Sequence, residues 1–349
     1  PSDRTEEEPV LAVENLRTTF FTDKETIRAV DGISFDIRPG ETVGVVGESG
    51  SGKSVTARSI MGVVDSPGRI LDGSSIRFHG EELTGKSEDE YRTLRGSGIA
   101  MVFQDPLTSL NPVYTVGNQI KEAIKVNRDL KDRTPTEVAV DLLDAVSIPD
   151  ARRRMTEYPH QFSGGMRQRA VIAMALACDP DLLICDEPTT ALDVTIQAQI
   201  LELLRDLQTE RDLAIMFITH DMGVIANISD RVNVMYAGEI IESGPVEELY
   251  ANPKHPYTQG LLESIPGRNA GQDRLRTIEG DVPTPNERAT HCRFAPRCPK
   301  AFDDCEHVHP ERVQVGDSDQ HTAACLLYPD DVSESEAVAI HRRRGGEEQ

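Results

Sequence analysis

The chain has 349 residues, long enough for roughly two domains and a substantial buried core, which excludes a small stapled scaffold. Its 37 Lys and Arg stand against 59 Asp and Glu, and the net charge of −22 argues against a surface built to hold nucleic acid or anionic lipid. Only eight of the cations are Lys, a balance that suits a halophile's salt-rich cytoplasm, with an ordinary acidic cytosolic protein as the alternative.

Residues 1–9 read as a tail, and their acidic start lacks the basic and apolar blocks of a secretory signal, so an intracellular protein with reduced thiols is expected. Short runs rich in Val and Ile then alternate with helical periodicity, the pattern of an α/β fold with a mostly parallel sheet covered by helices. Strands are predicted at 42–46, 99–103, 182–185, 214–219 and 231–236, with a helix over 55–63. Between the second and third strands, residues 107–161 read as an inserted helical subdomain. The longest apolar run, 170–178, has nine residues, short of the roughly 20 that cross a bilayer as a helix. After Gly244, Pro-containing turns punctuate a loop-rich region, with a boundary near 267–271. A Cys-bearing extension over 271–329 follows, and the tail from Asp330 reads as a frayed, solvated end.

Residues 47–54 fit G-x-x-x-x-G-K-[ST], placed after an apolar strand and before a helix. Gly47, Glu48, Ser49, Gly50, Ser51, Gly52, Lys53, Ser54 and Val55 are the candidate phosphate-binding residues. The glycines let backbone N–H groups turn onto phosphate oxygens, Lys53 reaches the β- and γ-phosphates, and the Ser54 hydroxyl is offered to Mg²⁺. The strand at 182–185 ends in two carboxylates. Asp186 suits Mg²⁺ held through water, and Glu187 suits polarisation of the water that attacks the γ-phosphate, which favours hydrolysis over transfer to a substrate. Between these motifs, Ser163, Gly164 and Gly165 open a helix running to Ala177, a second phosphate-binding helix N-terminus.

The order and spacing of these strings resemble the nucleotide-binding subunits of ABC transporters, over residues 10 to about 245. The resemblance implies a head-to-tail pair of subunits with ATP between the P-loop of one and the 162–166 signature of the other. It further implies that Gln104 ligates Mg²⁺ or places water, that His220 bonds the γ-phosphate, that Ala191, Leu192 and Asp193 form the D-loop, and that Phe20 stacks on adenine. Phe21 beside it, or ordinary packing of Phe20, are alternatives.

The 102–112 string around Gln104, the His255-Pro256-Tyr257-Thr258 string and the Cys-rich end resemble the dipeptide/oligopeptide importer ATPases and carry the likeness to about residue 328. Met166 stands where many ABC subunits have Gln, and the resemblance implies a heterodimer with a second, related ATPase. It also implies two transmembrane permease subunits gripped by the helical insert, an extracytoplasmic solute-binding protein, and a peripheral location on the cytoplasmic face of the membrane. Importers of nickel or sugar, and a soluble ABC ATPase, are alternatives.

Six cysteines are present, and Cys292, Cys298, Cys305 and Cys325 cluster near the end without the C-x₂-C spacing of zinc ribbons. With His291, His307, His309 and His321 nearby, their spacing leaves zinc or metal-free burial open. Some peptide-importer ATPases carry a [4Fe–4S] cluster at a string like 292–299, so the resemblance implies that cluster on the four cysteines. Cys178 and Cys185 read as buried small apolar residues.

Overall fold

A computed structural model describes residues 8–127, 130, 132–190, 192–265, 278–316 and 318–347. Residues 1–7 of the expected 1–9 tail, the boundary at 267–271 and Ala191 lie outside them.

An antiparallel hairpin of β1 (Leu11–Phe21) and β2 (Thr26–Ile37) comes first, paired from Leu11 opposite Ile37 to Phe21 opposite Thr26 with register shifts between Val13 and Thr19. β3 (Thr42–Val46) is buried at every residue and runs through the phosphate loop into α1 (Lys53–Ile60). The short strands β4 (Gly68–Ile70), β5 (Ser75–Phe78) and β6 (Glu81–Glu82) return to the hairpin. α2 (Glu88–Ser97) starts at a capping box, in which Ser87 and Glu90 satisfy each other's backbone N–H groups, and leads into β7 (Ile99–Val102). The expected helical stretch contains α3 (Pro106–Ser109), α4 (Val116–Asn127), α5 (Pro135–Ala145) and α6 (Ala151–Arg154). Thr134, Pro135 and Glu137 supply the cap, the first-turn proline and the returning carboxylate of α5.

The alternation then continues through α7 (Gly164–Leu176), β8 (Leu182–Asp186), α8 (Val194–Arg211), β9 (Ala214–Thr219), α9 (Met222–Ile228), β10 (Arg231–Tyr236) and β11 (Glu239–Pro245). α10 (Val246–Ala251) and α11 (Pro256–Glu263) follow. Two-residue strands β12 (Val313–Gln314) and β13 (Thr322–Ala323) precede α12 (Glu334–Glu347).

The first sheet has the order β2-β1-β5-β6, with β4 also paired to β1. The second has the order β12-β13-β11-β10-β3-β9-β8-β7; β10, β3, β9, β8 and β7 are parallel neighbours, and β11, β13 and β12 extend the edge antiparallel. Strand alternation divides the core. Leu183, Cys185, Ile215 and Phe217 face a cluster with α4, α5, α7, α8 and α9, whereas Leu182, Ile184, Met216 and Ile218 face the first sheet and α1. Buried on both faces, these strands are continuous apolar runs.

The predicted strands at 42–46, 214–219 and 231–236 match β3, β9 and β10; β7 ends one residue early and β8 includes Asp186. The tail from Asp330, expected to fray, instead forms α12, which buries Ala337, Val338 and His341. His341 Nδ1 accepts from Glu311 N at 3.1 Å, and Nε2 donates to Tyr328 O at 2.9 Å. Cys185 is fully buried in β8, and Cys178 is half-buried with its sulfur 3.3 Å from Asn127 Nδ2. Among the described residues no helix is long and apolar enough to cross a membrane.

Candidate active site

β3 delivers the chain into a loop whose path only glycine permits. A Cβ on Gly47 would lie 2.2 Å from Met235 O; Gly52, at φ +106°, would place one 2.3 Å from Ala29 O. Gly52 hands over to α1, whose first residue, Lys53, is 5% exposed. Its ammonium donates to Gly47 O at 2.7 Å and Glu48 O at 2.9 Å. Burial lowers the Lys53 pKa, against the opposing pull of Glu187, Asp186 and Glu48. Ser49 and Gly50 are exposed at the loop tip, Ser51 is buried, and Ser54 and Val55 are half-buried in α1.

β8, next but one to β3 across the sheet, ends beside the start of α1. The Ser54 hydroxyl donates to Asp186 Oδ1 at 2.9 Å, so the residue pair predicted for Mg²⁺ stands together. Glu187 follows at φ +49°, a left-handed conformation that costs a non-glycine residue on the order of 1–2 kcal/mol. Its N–H donates to Ile218 O on β9, and its carboxylate gathers three groups. Gln104 Nε2 donates to Oε2 at 2.9 Å, Thr190 Oγ1 to Oε2 at 3.0 Å, and His220 Nδ1 to Oε1 at 3.2 Å. Residues from the ends of β7, β8 and β9 thereby meet at one point.

The adjacent carboxylates are driven in opposite directions. Burial, joined by the charge of Glu187, raises the Asp186 pKa despite the Ser54 hydrogen bond and Lys53. Burial works to raise Glu187 as well, but hydrogen bonds from His220 and Thr190 and the charge of Lys53 outweigh it and hold the group below its ordinary range. The split holds Glu187 ionised, while the buried Asp186 carboxylate is the one whose charge a cation would stabilise.

The 162–166 string stands apart from this cluster in its construction. Phe162 is buried, Ser163 caps α7 by accepting from Met166 N at 3.3 Å, and Ser163 and Gly164 are exposed. Gly165 is buried where a Cβ would come within 2.6 Å of Ile196 Cγ2. Ile196 lies in the first turn of α8, whose cap is the exposed Asp193, accepting from Ile196 N at 3.0 Å. Phe20 is half-buried in β1, with its ring against Gly68, while Phe21 is 48% exposed.

Two supports of the loop went unassigned from sequence. Tyr257 OH accepts from Glu48 N at 2.9 Å, and Arg297 pairs with the Glu48 carboxylate at 2.8 Å. The His255-Pro256-Tyr257 string carried the signal for the first. His255 caps α11, Pro256 opens it, and the turn directs Tyr257 at the loop. The four C-terminal cysteines are free thiols. Burial raises each, and Cys325 lies within electrostatic reach of Cys292, Cys298 and Cys305. Among the described residues no three His, Cys, Asp or Glu side chains are gathered as a metal-binding group.

A glycine cradle closed by a buried lysine, with Ser54 at the start of α1 bonded to Asp186 and with Glu187 following at the end of β8, defines a P-loop ATPase of the cassette type. The ABC transporter family matches residues 30–190, and the oligopeptide/dipeptide transporter C-terminal region matches 241–305. The chain is 50% identical over 326 residues to the oligopeptide transport ATP-binding protein AppD of Bacillus subtilis (strain 168), spanning 93% of this chain and 98% of that protein. It is 49% identical over 332 residues to a putative peptide import ATP-binding protein of Brucella abortus (strain 2308), spanning 92% and 98%. The dimeric structure of MJ0796, a bacterial ABC transporter cassette, aligns with a TM-score of 0.60 at 26% identity over 68% of this chain and 98% of its own; a post-hydrolysis state of that cassette, bound to ADP and Pi, aligns equally. The chain belongs to the ATP-binding proteins of ABC transporters, in the oligopeptide/dipeptide branch.

Proposed function

We propose that this chain hydrolyses MgATP to power import of di- or oligopeptides through separate permease subunits. The observation that carries the reading is the convergence of Gln104, Thr190 and His220 on the Glu187 carboxylate, beside the Ser54–Asp186 pair. In this reading the loop N–H groups and Lys53 hold the β- and γ-phosphates, while Ser54, Asp186 and Gln104 hold Mg²⁺, which supplies charge neutralisation on the phosphates. Glu187 accepts a proton from the attacking water, and His220 contacts the γ-phosphate. The base stacks on Phe20.

The exposed helix starts at Ser163, Gly164 and Asp193 support a site completed in trans, because they lie at a surface open to a partner. Val194 beside them is 82% exposed, an apolar side chain suited to burial against a partner. A related ATPase carrying Gln in place of Met166 is the partner this reading assigns. Residues 107–161 act as a helical subdomain that receives the permeases. Val113, Tyr114 and Tyr158 offer it apolar surface on two segments joined by the Val116 N to Glu157 O bond. An extracytoplasmic binding protein delivers the peptide, the ATPase sits on the cytoplasmic face, and the acidic, Lys-poor composition fits a salt-rich cell.

Cys292, Cys298, Cys305 and Cys325 would hold a [4Fe–4S] cluster. Four free thiols in mutual electrostatic reach supply the number of ligands that such a cluster takes. Its bonds would close the loops of a segment with little apolar burial. The test of the central reading is Glu187→Gln in the transporter reconstituted with permeases and binding protein. MgATP binding should persist while hydrolysis and peptide uptake fall together by a factor on the order of 10²–10³. Near-normal hydrolysis by that variant would overturn the role of Glu187, and full hydrolysis without peptide uptake by the unmodified transporter would overturn the peptide.

A further inference from the structure

Arg297 ends a single 3₁₀ turn, Ala295–Arg297, directly before Cys298. Its side chain is 6% exposed, and its guanidinium forks onto Glu48 of the phosphate loop, 249 residues earlier: Nη1 to Oε2 at 2.8 Å and Nη2 to Oε1 at 3.0 Å. The remaining donors are spent locally. Nε reaches Glu279 O at 2.9 Å, Nη2 reaches Ile278 O at 3.4 Å, and Nη1 reaches Tyr236 OH at 3.3 Å. The planar group also lies 5.7 Å from the Tyr236 ring centre. Behind it, Tyr236, Tyr257 and Phe294 pack edge to face with ring centres 4.8–5.4 Å apart.

Glu48 is thereby fixed at three points. Arg297 holds its carboxylate, Tyr257 OH accepts from its N–H at 2.9 Å, and Lys53 donates to its carbonyl at 2.9 Å. A bidentate, partly buried ion pair fixes both distance and plane, and here it fixes the residue immediately before the exposed loop tip. Glu48 also places a negative charge beside the cradle that receives phosphates, and the guanidinium offsets it.

We propose that Arg297 is a positioning residue for the phosphate loop, through which the Cys-bearing extension sets nucleotide affinity without touching nucleotide. The inference rests on the loop binding MgATP. It assigns to the extension a part in the ATP site that its distance along the chain conceals.

The experiment measures MgATP affinity of the full chain and turnover of the assembled transporter for Arg297→Gln, Arg297→Lys, Glu48→Ala and the Glu48→Ala/Arg297→Gln double variant. Arg297→Gln should weaken MgATP binding by about tenfold, the size expected for losing a charge-assisted bidentate contact. Turnover at saturating MgATP should fall less than affinity does. Arg297→Lys, which keeps the charge and loses the fork, should fall between Arg297→Gln and the unmodified chain. The double variant should bind no more weakly than the weaker single variant, because both act through one contact. Unchanged affinity in folded Arg297→Gln, or losses that add in the double variant, would overturn the proposal. Should Arg297→Gln fail to fold, Arg297→Lys and Glu48→Ala decide: ordinary affinity in both overturns it. Absence of MgATP binding by the unmodified chain would strike the functional reading itself.

Discussion

The parallel strands β3, β8 and β9 are buried at every residue, whereas residues 278–329 share an apolar cluster with only a few members, chiefly Ala295, Cys305, Val308 and Leu326, joined by Val338 of α12. The extension reaches the main core through Phe294, with Ile278 and Val282 beside it, and is further tied to the ATPase core by polar pairs at intervals. Arg293 pairs with Asp31, Arg297 with Glu48, His309 with Glu239, and His321 with Glu242. Burial is non-directional and sets how stable a region is; ion pairs and hydrogen bonds are directional and set where it sits. The core maintains the site's existence, and the extension is oriented on it through side chains that meet the phosphate loop, β2 and β11.

The strongest test removes burial from the core. Phe217 in β9 is fully buried, and Phe217→Ala should cost about 3–5 kcal/mol. Calorimetric melting should show both regions lost in one transition, since the extension has no comparable core of its own; survival of the extension alone would break the comparison. A second change cuts one tie. Glu242 is fully buried, and its carboxylate accepts from Lys254 N and His255 N, each at 2.8 Å, and meets His321 Nε2 at 2.8 Å. Glu242→Gln takes away an acceptor from this set, so a loss of roughly 1–3 kcal/mol is expected. Hydrogen exchange should speed up in 254–258 and 313–323 before it does in β3 and β9. Uniform acceleration across all of these strands would show that the tie belongs to the core.

The smallest effect concerns pH. His309 meets Glu239 at 2.7 Å and Glu311 at 3.5 Å; burial works to lower its pKa, and the two carboxylates outweigh it and raise it to about 9. Because the folded value exceeds the unfolded one of about 6.5, the contribution is full below about pH 6.5 and is lost as pH rises through about 9. With His309 29% exposed, solvent screening limits the size to about 1 kcal/mol. Denaturation of the unmodified chain and of His309→Gln from pH 6 to 10 should show a stability gap that closes above pH 9. A gap that widened with pH would remove this pair from the ties.

What could be read in advance follows the same division. β3, β8, β9 and β10 were legible because strands covered on both faces are continuous apolar runs, and the loop and the Asp186-Glu187 strand end were legible as contiguous strings. β1 and β2 escaped because their half-covered faces mix Arg17, Thr18 and Asp31 with Val and Leu. β11 escaped because Glu242 and Ser243 occupy buried positions whose partners lie elsewhere in the chain. Thr190 and Arg297 escaped for a related reason: their roles are set by contacts with Glu187 and Glu48, which no local spacing encodes. α12 has a single short apolar run, Ala337 to Ile340, among charges, too little for periodicity to register.

The two-residue strands β12 and β13 carry a consequence beyond attachment. Without them, the main sheet would end on β11, with Ile240 and Ile241 along an unpaired backbone edge able to template pairing with another chain. β13 covers that edge at Glu242 and Ser243, and β12, only two residues long, offers a newcomer too few free amides to continue the ladder. The extension therefore also acts as a stop against aggregation, ending an eight-stranded sheet in strands too short to grow from.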